Sequence, residues 1–372
     1  MALVQQTTAK SFESFLESVY IISHSTKTVK TYRTSLNHLQ KFIDARYEQS
    51  ESEIILEIKS GTVDLYQFLR DFVIYLDKAG IQPKGLRGYL SGIKGYIRHQ
   101  GIRINSDDFK QFVKIPKLVR TREIPLTKEM ILRVLHNSNS KLQTAILVAL
   151  SSGLRIGELV QLKLSDIDFD SNPTKISVRG NATKTRQSRE TYITPEATDA
   201  LRDYLSRYFG WTENNSRQID PYIFGPTTGK GRKSKLPGFN IESAKLSLQK
   251  SLRTHVGSIP DLDVNNENGY KAIHFHAFRK FFRTVVGNAV GRDYAEALMG
   301  HGFYMDTYYQ LPEDKKKRMY LDAESYLTIS DTVSMENNFK SLSEKHNSLE
   351  TKVDDLLRHL RKNSIEVPDY LR

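Results

Sequence analysis

Apolar residues recur at intervals of three and four positions along much of the first hundred residues. One such run spans 29–43 and a second spans 63–76. This spacing places the apolar side chains on one face of an α-helix. Ser25 or Thr26 could cap the first of these helices, since a hydroxyl there accepts a backbone hydrogen bond. Residues 1–103 are therefore predicted to form a helical N-terminal domain.

A third helical run, 84–99, combines basic residues with tyrosines and glycines. Basic residues interleaved with aromatic ones suit a helix that faces a nucleic-acid backbone. The alternative is an ordinary helix face in contact with solvent. The residues that the first interpretation predicts as DNA contacts are Lys84, Arg87, Lys94 and Arg98.

Residues 104–124 are predicted to form a linker between two domains. Their periodicity is poor, their charge is high, and they include a proline. Arg120 and Arg122 in this stretch are further candidates for contacts with DNA. The second domain is predicted to cover 125–330, where Thr127 is a good N-cap for the next helix.

The second domain combines helical and strand-like patterns. A nearly unbroken apolar stretch, 141–152, predicts a buried helix that Gly153 ends. Two stretches of alternating polarity, 175–178 and 191–194, predict strands joined by a turn rich in lysine and arginine. The predicted fold is therefore mainly α with a small β-hairpin or sheet, and the second domain is mixed α/β.

The C-terminal residues 331–372 have a pattern of their own. From Met335 to Leu360, apolar residues alternate at spacings of four and three, with His346 as the polar exception. This is a coiled-coil pattern and predicts an oligomerisation helix. The alternative is an amphipathic helix packed on its own domain, but the narrow apolar seam favours partner helices.

Composition and charge narrow the possible functions. The 372 residues include 55 Lys and Arg against 43 Asp and Glu, which gives a net charge of +12. A basic excess is typical of proteins that bind nucleic acid. The absence of cysteine excludes disulfides and thiolate sites, and no apolar run approaches the ~18 residues that would span a membrane. With no signal-peptide pattern, the expectation is a soluble protein of the cytoplasm or nucleoid.

Several separate segments carry residues suited to chemistry on an anion. Arg155 and Glu158 lie in Gly-Leu-Arg-x-x-Glu-Leu, where the simplest interpretation of the two alone is a structural ion pair. His276 and Arg279 are three residues apart and can present an imidazole and a guanidinium on one helix face. His301 follows a glycine in a sharp turn.

A pair of tyrosines, Tyr308 and Tyr309, follows shortly afterwards. Fixed cations stabilise the charge that a phosphodiester gains under attack, and an arginine fork matches two phosphate oxygens. A phenol of pKa ~10 needs such a positive environment to act as a nucleophile. This inventory needs no metal or nucleotide, and no His, Asp and Glu residues have metal-ligand spacing. No cofactor is therefore predicted.

In the order of these motifs, the sequence resembles the tyrosine recombinase (phage integrase) family. The pattern Gly-His-x-x-Tyr-x-Asp-x-x-Tyr, at 300–309, is most similar to archaeal integrase-like members. The resemblance covers roughly residues 10–330. It implies a SAM-like core-binding domain at 1–103 that contacts DNA and a tyrosine recombinase catalytic domain at 125–330.

The resemblance also implies roles for individual residues. Arg155 and Arg279 would hold the non-bridging oxygens of the scissile phosphate. His276 and His301 would hydrogen-bond the same group or assist proton transfer. Glu158 would orient its neighbours.

Two further roles, those of general acid and nucleophile, have competing candidates. The general acid would be Lys184, on the hairpin turn, with Lys175, Arg186 and Arg189 as competitors. The nucleophile would be Tyr309, with Tyr308 as its rival and Tyr320 as a more distant candidate.

The predicted function is site-specific cleavage and rejoining of DNA through a covalent 3′-phosphotyrosine, in recombination, integration or transposition. The predicted partners are double-stranded DNA and further copies of the chain, from dimer to tetramer on paired DNA sites. A basic run with Lys230, Arg232 and Lys233 is predicted to contact the DNA backbone. The alternatives are a type IB topoisomerase-like nicking-closing enzyme and a catalytically idle scaffold that bridges DNA sites.

Overall fold

A computed structural model describes residues 10–118, 122–183, 186–212, 220–225, 240–301 and 311–330, together with His346, Leu349, Lys352 and Val353. The chain divides into two units, Met1–Arg120 and Thr121–Arg372. They are called the first and the second unit.

Helices build the first unit, and polar side chains determine where they begin. Ser25 caps the second helix, as predicted, because its Oγ accepts a 3.2 Å hydrogen bond from the Thr28 amide. Ser50 and Glu53 form a capping box at the start of the third. The helices are α1 (Phe12–Ser23), α2 (Thr26–Arg46), α3 (Glu51–Ser60), α4 (Leu65–Lys78), α5 (Pro83–His99) and α6 (Ser106–Phe112).

The core of the first unit lies between the apolar faces of these helices. The rings of Phe42, Phe68 and Phe72 are buried and meet edge to face. Helix α5 approaches α2 closely because Gly92 has no side chain, and an added Cβ would lie 2.8 Å from Ser35 Oγ. The predicted helical character of this region is confirmed.

The first half of the predicted linker at 104–124 contains a helix, α6, which the sequence did not predict. Asn105 caps α6, since its side-chain oxygen accepts a 2.8 Å hydrogen bond from the Asp107 amide. Val113 is buried in the core of the first unit. The helix was missed because it is short, has no buried residue of its own and is mostly polar in sequence. The domain boundaries themselves remain predictions.

The second unit is built mainly of helices around a small sheet. Thr127 caps its first helix, as predicted, through a 3.2 Å hydrogen bond from the Met130 amide. The helices are α7 (Lys128–His136), α8 (Ser140–Ser152), α9 (Ile156–Leu159), α10 (Pro195–Phe209), α11 (Ile241–Gly257), α12 (Phe275–Ala289), α13 (Arg292–Met299) and α14 (Glu313–Leu327). The strands are β1 (Ile167–Asp168), β2 (Thr174–Val178) and β3 (Arg189–Ile193).

The sheet is antiparallel with the order β1-β2-β3, and Ile176 pairs with Thr191 across β2 and β3. The predicted hairpin is confirmed, with its second strand beginning at Arg189 instead of Thr191. Thr191 also donates a 2.8 Å hydrogen bond to the Ser152 carbonyl at the end of α8. The sheet is thereby attached to the helix end from which the candidate site begins.

Two buried clusters support the second unit. The larger one surrounds α8, which is buried along most of its length, as its apolar sequence predicts. The smaller one lies between β3, α12, α13 and α14. Tyr294 of α13 donates a 2.6 Å hydrogen bond to the Lys316 carbonyl of α14. The site residues at the end of α13 are therefore carried by this smaller core.

After α14, the backbone is held at the start of α10. The backbone amides of Ile329 and Ser330 donate to the Glu196 carboxylate at 2.8 and 2.9 Å. Most of the predicted coiled-coil segment lies outside the described residues; the four described positions within it are helical. In the described part of the chain, no helix is long and apolar enough to span a membrane.

Candidate active site

The turn after α8 positions the first arginine. Gly153 ends the helix with a left-handed backbone, at φ +65°. A Cβ added there would lie 2.5 Å from the ring of Phe282, so both the backbone angle and the space require glycine. Arg155 follows at the start of α9, with 30% of its side chain exposed.

A buried glutamate links Arg155 to a second arginine, Arg189 on β3. Glu158 accepts from Arg155 Nη1 at 2.9 Å and from Arg189 at 2.6 and 3.2 Å. Both Glu158 and Arg189 are 3% exposed. Burial alone would raise the pKa of the Glu158 carboxyl, but its bonds with Arg189 and Arg155 lower it below the ordinary value. Glu158 therefore stays charged and holds Arg155 in place.

Arg279 is buried at the ends of two helices. It donates to the Gly153 carbonyl at the end of α8, and to the Met299 carbonyl at the end of α13 at 2.6 Å. Helix C-terminal carbonyls carry partial negative charge and lack helical partners, so they suit a guanidinium. Burial, and then the charge of Arg155, lowers the pKa of Arg279 to about 9. The group is still protonated at neutral pH.

The two arginines meet at one oxygen atom. Arg155 Nη1 lies 3.4 Å and Arg279 Nη2 lies 2.6 Å from the carbonyl oxygen of Met299. Two guanidinium groups held this close repel each other, and Glu158 with the helix carbonyls offsets part of that repulsion. An anion that accepts from both would offset more of it. The geometry thus favours a bound oxyanion.

His301 lies beside Arg279, in the turn after α13. Its Nε2 is 3.4 Å from Arg279 Nη2, and its Nδ1 contacts the carboxylate of Glu296. The turn is made by Gly300 at φ +74°, where an added Cβ would lie 2.8 Å from the Arg189 side chain. A glycine is therefore needed for His301 to reach the arginines.

His276 lies on α12 one turn before Arg279 and is exposed. Burial of part of its ring, followed by the charges of Lys280, His274 and Arg279, lowers its pKa. The imidazole is therefore mostly neutral at pH 7. Lys280, on the same face, is paired with Glu123. The charge of Arg279 therefore reaches His276, whereas His301 contacts Arg279 directly.

Two competitors for the general-acid position have other contacts. Arg189 is buried against Glu158, as described above. Lys175 Nζ lies 3.1 Å from Glu313, and this hydrogen bond raises its pKa, which makes it a poorer proton donor. The third competitor, Arg186, lies in the connection between β2 and β3. Lys184 is in the same connection but outside the described residues.

Tyr320 is fully buried, and its hydroxyl donates a 2.8 Å hydrogen bond to the Ser151 carbonyl. Burial raises its pKa well above the ordinary value, which opposes a nucleophilic role. The segment with the two leading candidates for the nucleophile ends just before α14. Tyr308 and Tyr309 lie outside the described residues.

The predicted DNA contacts of the first unit lie on α5, spaced so that they follow one side of the helix. Lys84, Arg87 and Arg98 are exposed. Lys94 is half-buried, and its ammonium lies 4.2 Å from the centre of the Phe109 ring. Its charge therefore also makes a cation–π contact within the first unit.

The other predicted DNA contacts differ in how far the structure describes them. Arg122 is exposed, and its backbone amide donates to Glu267 at 2.8 Å. The remaining ones, Arg120, Lys230, Arg232 and Lys233, lie outside the described residues.

Sequence reasoning missed the roles of three residues, which are Arg189, Glu296 and Arg283. Arg189 was considered only as a competing general acid, although it supports Glu158. Glu296 contacts His301 and Arg283, and it is 3% exposed. The available signal was a glutamate in the otherwise apolar segment Ala295–Met299 of α13, because a buried charge needs partners. Among the described residues, no His, Asp and Glu side chains are grouped as a metal site requires.

Part of the chain matches a known protein family. Residues 125–307 match the model of the phage integrase family. The tyrosine recombinase XerA of Thermococcus kodakarensis is 30% identical over 148 residues, covering 39% of this chain and 49% of that protein. The tyrosine recombinase XerC of Chlamydia caviae is 28% identical over 211 residues, covering 52% and 66%. The chain thus spans less than two thirds of the length of either relative.

A solved structure shares the fold. It is a lambda integrase dimer bound to a COC′ core site, which matches with a TM-score of 0.52 and 15% identity. The match covers 83% of this chain and 81% of that one. At 15% identity, the match shows that the two chains share a fold.

Proposed function

Because the chain belongs to the phage integrase family of tyrosine recombinases through residues 125–307, we propose that it cleaves and rejoins DNA strands at specific sites. The observation that carries this proposal is the meeting of Arg155 and Arg279 at the Met299 carbonyl, beside His301. Together, Arg155, Arg279 and His301 form a fixed cradle in which the two guanidinium groups supply positive charge. The predicted tyrosines follow His301 within ten residues of sequence.

The proposed reaction has one covalent intermediate. The Tyr309 oxygen attacks the scissile phosphorus, a tyrosine–phosphorus bond forms, and the bond to the 5′-oxygen breaks. The leaving oxygen takes a proton, which we assign to Lys184. The phenol loses its proton, and His276 can accept it because its lowered pKa leaves it neutral at pH 7. Rejoining is the reverse of these steps with another strand.

The arginines stabilise the charge that develops on the equatorial oxygens. They are fixed before substrate arrives, Arg279 by helix carbonyls and Arg155 by Glu158, so little reorganisation accompanies the reaction. The phosphotyrosine retains the energy of the broken bond, so rejoining needs no ATP. The cationic cradle can supply the charge stabilisation that a metal ion provides in other phosphoryl-transfer sites. The proposed reaction is therefore independent of metal and nucleotide.

The remaining parts of the chain are proposed to assemble the DNA complex. The basic side of α5 would contact the DNA backbone, as its exposed Lys84, Arg87 and Arg98 favour. The C-terminal heptads would join protomers on paired sites. A location on the nucleoid follows from the same proposal.

A nicked suicide substrate tests the reaction. The substrate would carry a site selected from random duplexes by binding to the protein, and covalent product would be followed on a denaturing gel in excess EDTA. The expected result is a covalent band with the wild-type chain that is lost in Tyr309→Phe, while DNA binding is retained. Tyr308→Phe is the matched control and should keep the band.

Three results would contradict parts of this proposal. Loss of the band only in Tyr308→Phe would move the nucleophile by one residue. A strict need for a divalent ion would refute the metal-independent mechanism. Binding without any covalent product would favour the idle DNA-bridging scaffold.

A further inference from the structure

His301 contacts a buried carboxylate through the ring nitrogen that does not face Arg279. Its Nδ1 contacts Glu296 Oε2, while the other oxygen of Glu296 accepts from Arg283 Nε. Glu296 is 3% exposed, whereas 41% of the His301 side chain is exposed. Arg292 approaches the same carboxylate more loosely, at 3.8 Å. The imidazole thus has one buried, fixed side and one open side.

The arrangement repeats the one around Arg155. Glu158 lies between a site residue, Arg155, and a supporting arginine, Arg189. Glu296 lies in the same way between His301 and Arg283. For each glutamate, burial would raise the pKa, and the hydrogen bonds from its two partners more than offset this effect. Both carboxylates are therefore charged, and each is fixed by a second arginine that is not part of the cradle.

The contacts of the His301 ring select one tautomer. An arginine can only donate hydrogen bonds, so Arg279 Nη2, 3.4 Å away, requires Nε2 to accept. A carboxylate can only accept, so Glu296 requires a proton on Nδ1. A neutral imidazole satisfies both neighbours only with its proton on Nδ1.

We propose that Glu296 is a positioning residue of the reaction, which fixes His301 as the Nδ1–H tautomer, so that Nε2 accepts from Arg279 and orients its guanidinium for the scissile phosphate. This role rests on the proposed function. Without the carboxylate, the ring could turn over or carry its proton on Nε2. In the second case an N–H would face the Arg279 N–H, and the ring would be displaced from the cradle.

Nitrogen-15 NMR of the histidine side chains, on the DNA-free protein, tests the tautomer directly. The spectra are recorded at rising pH until the shifts no longer change, so that the neutral ring is observed, and His301→Gln assigns the signal. The expected result is a protonated Nδ1 and an unprotonated Nε2. A wild-type ring protonated on Nε2 would overturn the proposal.

Glu296→Gln gives a sharper test, because the new amide has one oxygen that accepts and one NH₂ that donates. Arg283 Nε can only donate, so it holds the amide oxygen, and the amide NH₂ then faces His301 Nδ1. The His301 tautomer should therefore reverse. Single-turnover cleavage should fall by about 10–100-fold, as when a hydrogen-bond partner behind a functional histidine is lost, while DNA binding is unchanged. Glu129→Gln, at an exposed position on α7, is the control and should change neither.

The outcomes separate this proposal from the proposed function. If the wild-type chain never forms covalent product, the proposed function fails, but the NMR measurement still shows whether Glu296 fixes the ring. If cleavage occurs and Glu296→Gln reverses the tautomer at an unchanged rate, the positioning role is wrong. If Glu296→Gln does not fold, the wild-type tautomer and the half-exposed Arg283→Gln variant decide, and the latter should also slow cleavage.

Discussion

Arg155 and Arg279, which are 124 residues apart in sequence, donate to the same carbonyl oxygen, that of Met299. Each therefore has an uncharged acceptor on one side, and the two guanidinium groups lie close enough for one anion to contact both. Arg279→Ala and Arg155→Ala should each slow single-turnover cleavage by about 10²–10³-fold, or 2.7–4 kcal/mol, the usual effect of removing one fixed contact to the transition state. DNA affinity should change little, since one phosphate contact among many is lost.

Arg133→Ala is the control for this prediction, because Arg133 forms an exposed pair with Asp261. It should leave cleavage unchanged. If an arginine variant of the cradle bound DNA poorly but cleaved at the wild-type rate once bound, its arginine would serve assembly alone.

Arg189→Met should destabilise the second unit by about 3–5 kcal/mol, because it leaves Glu158 charged and buried with one partner fewer. Urea unfolding would measure the loss. Arg207→Ala removes an exposed pair with Asp203, and its effect should stay near 0.3–0.5 kcal/mol. Equal losses in the two variants would show that the buried network contributes no more than a surface pair.

Gly153→Ala should cost more stability than Gly210→Ala. Both glycines end helices with positive φ, +65° and +62°, so both substitutions incur the left-handed cost of about 1–2 kcal/mol. Gly210 has open space, whereas a Cβ at Gly153 meets the Phe282 ring, which adds about 1–3 kcal/mol of overpacking. Urea unfolding of both variants isolates the steric part, and equal values would mean that Phe282 moves aside freely.

Cleavage should be nearly independent of pH from pH 8 to about 6.5 and fall below that. The lowered pKa of His276 keeps it neutral until the pH drops past the ordinary histidine value of ~6.5. Protonation then removes its capacity to accept the phenolic proton. The acid decline should be absent in His276→Asn, which would be slower throughout. A decline of the same shape in that variant would assign it to another group.

The same shift affects stability with the same sign. The unfolded chain takes up the His276 proton at a higher pH than the folded chain, so stability also falls as the pH drops below ~6.5. Rates should therefore be compared only where circular dichroism shows the folded protein.

A chain that ends at Ser330 should keep DNA binding and strand cleavage but lose assembly. The cut preserves the amides of Ile329 and Ser330 that bind Glu196, so the described core of the second unit keeps these contacts. Leu349, at a predicted seam position, is 62% exposed, and Leu349→Lys should imitate the truncation because a charge there opposes burial. Light scattering with and without paired sites measures the mass. An unchanged mass in both variants would place the helix on its own domain.

The sequence was sufficient for the residues that form local motifs. Arg155 with Glu158, and His276 with Arg279, lie three residues apart, so their spacing alone brings each pair together. The predicted strands were also found, because β2 and β3 alternate in polarity and are joined locally. The prediction missed helix α6, whose residues are mostly polar.

The sequence could not reveal the partners that depend on the assembled fold. Glu158 meets Arg189 across 31 residues, and nothing in the local pattern marks that pairing. Arg279 is held by the carbonyls of Gly153 and Met299, and backbone groups leave no signature in side-chain identity. Glu296 was visible as a charge among apolar residues, but its partner could be assigned only from the turn at Gly300.

The last turn of α13 holds four of the described site residues, which are Arg155, Arg189, Arg279 and His301. Its Met299 carbonyl receives Arg155 and Arg279, its Leu298 carbonyl receives Arg189 at 2.8 Å, and Glu296 holds His301. A shift of this single turn would alter the contacts of all four groups together. If the chain cleaves DNA as proposed, such a site would act in an all-or-none manner: a disturbed protomer would leave the strand uncut, which would protect DNA from stray nicks made by half-assembled complexes.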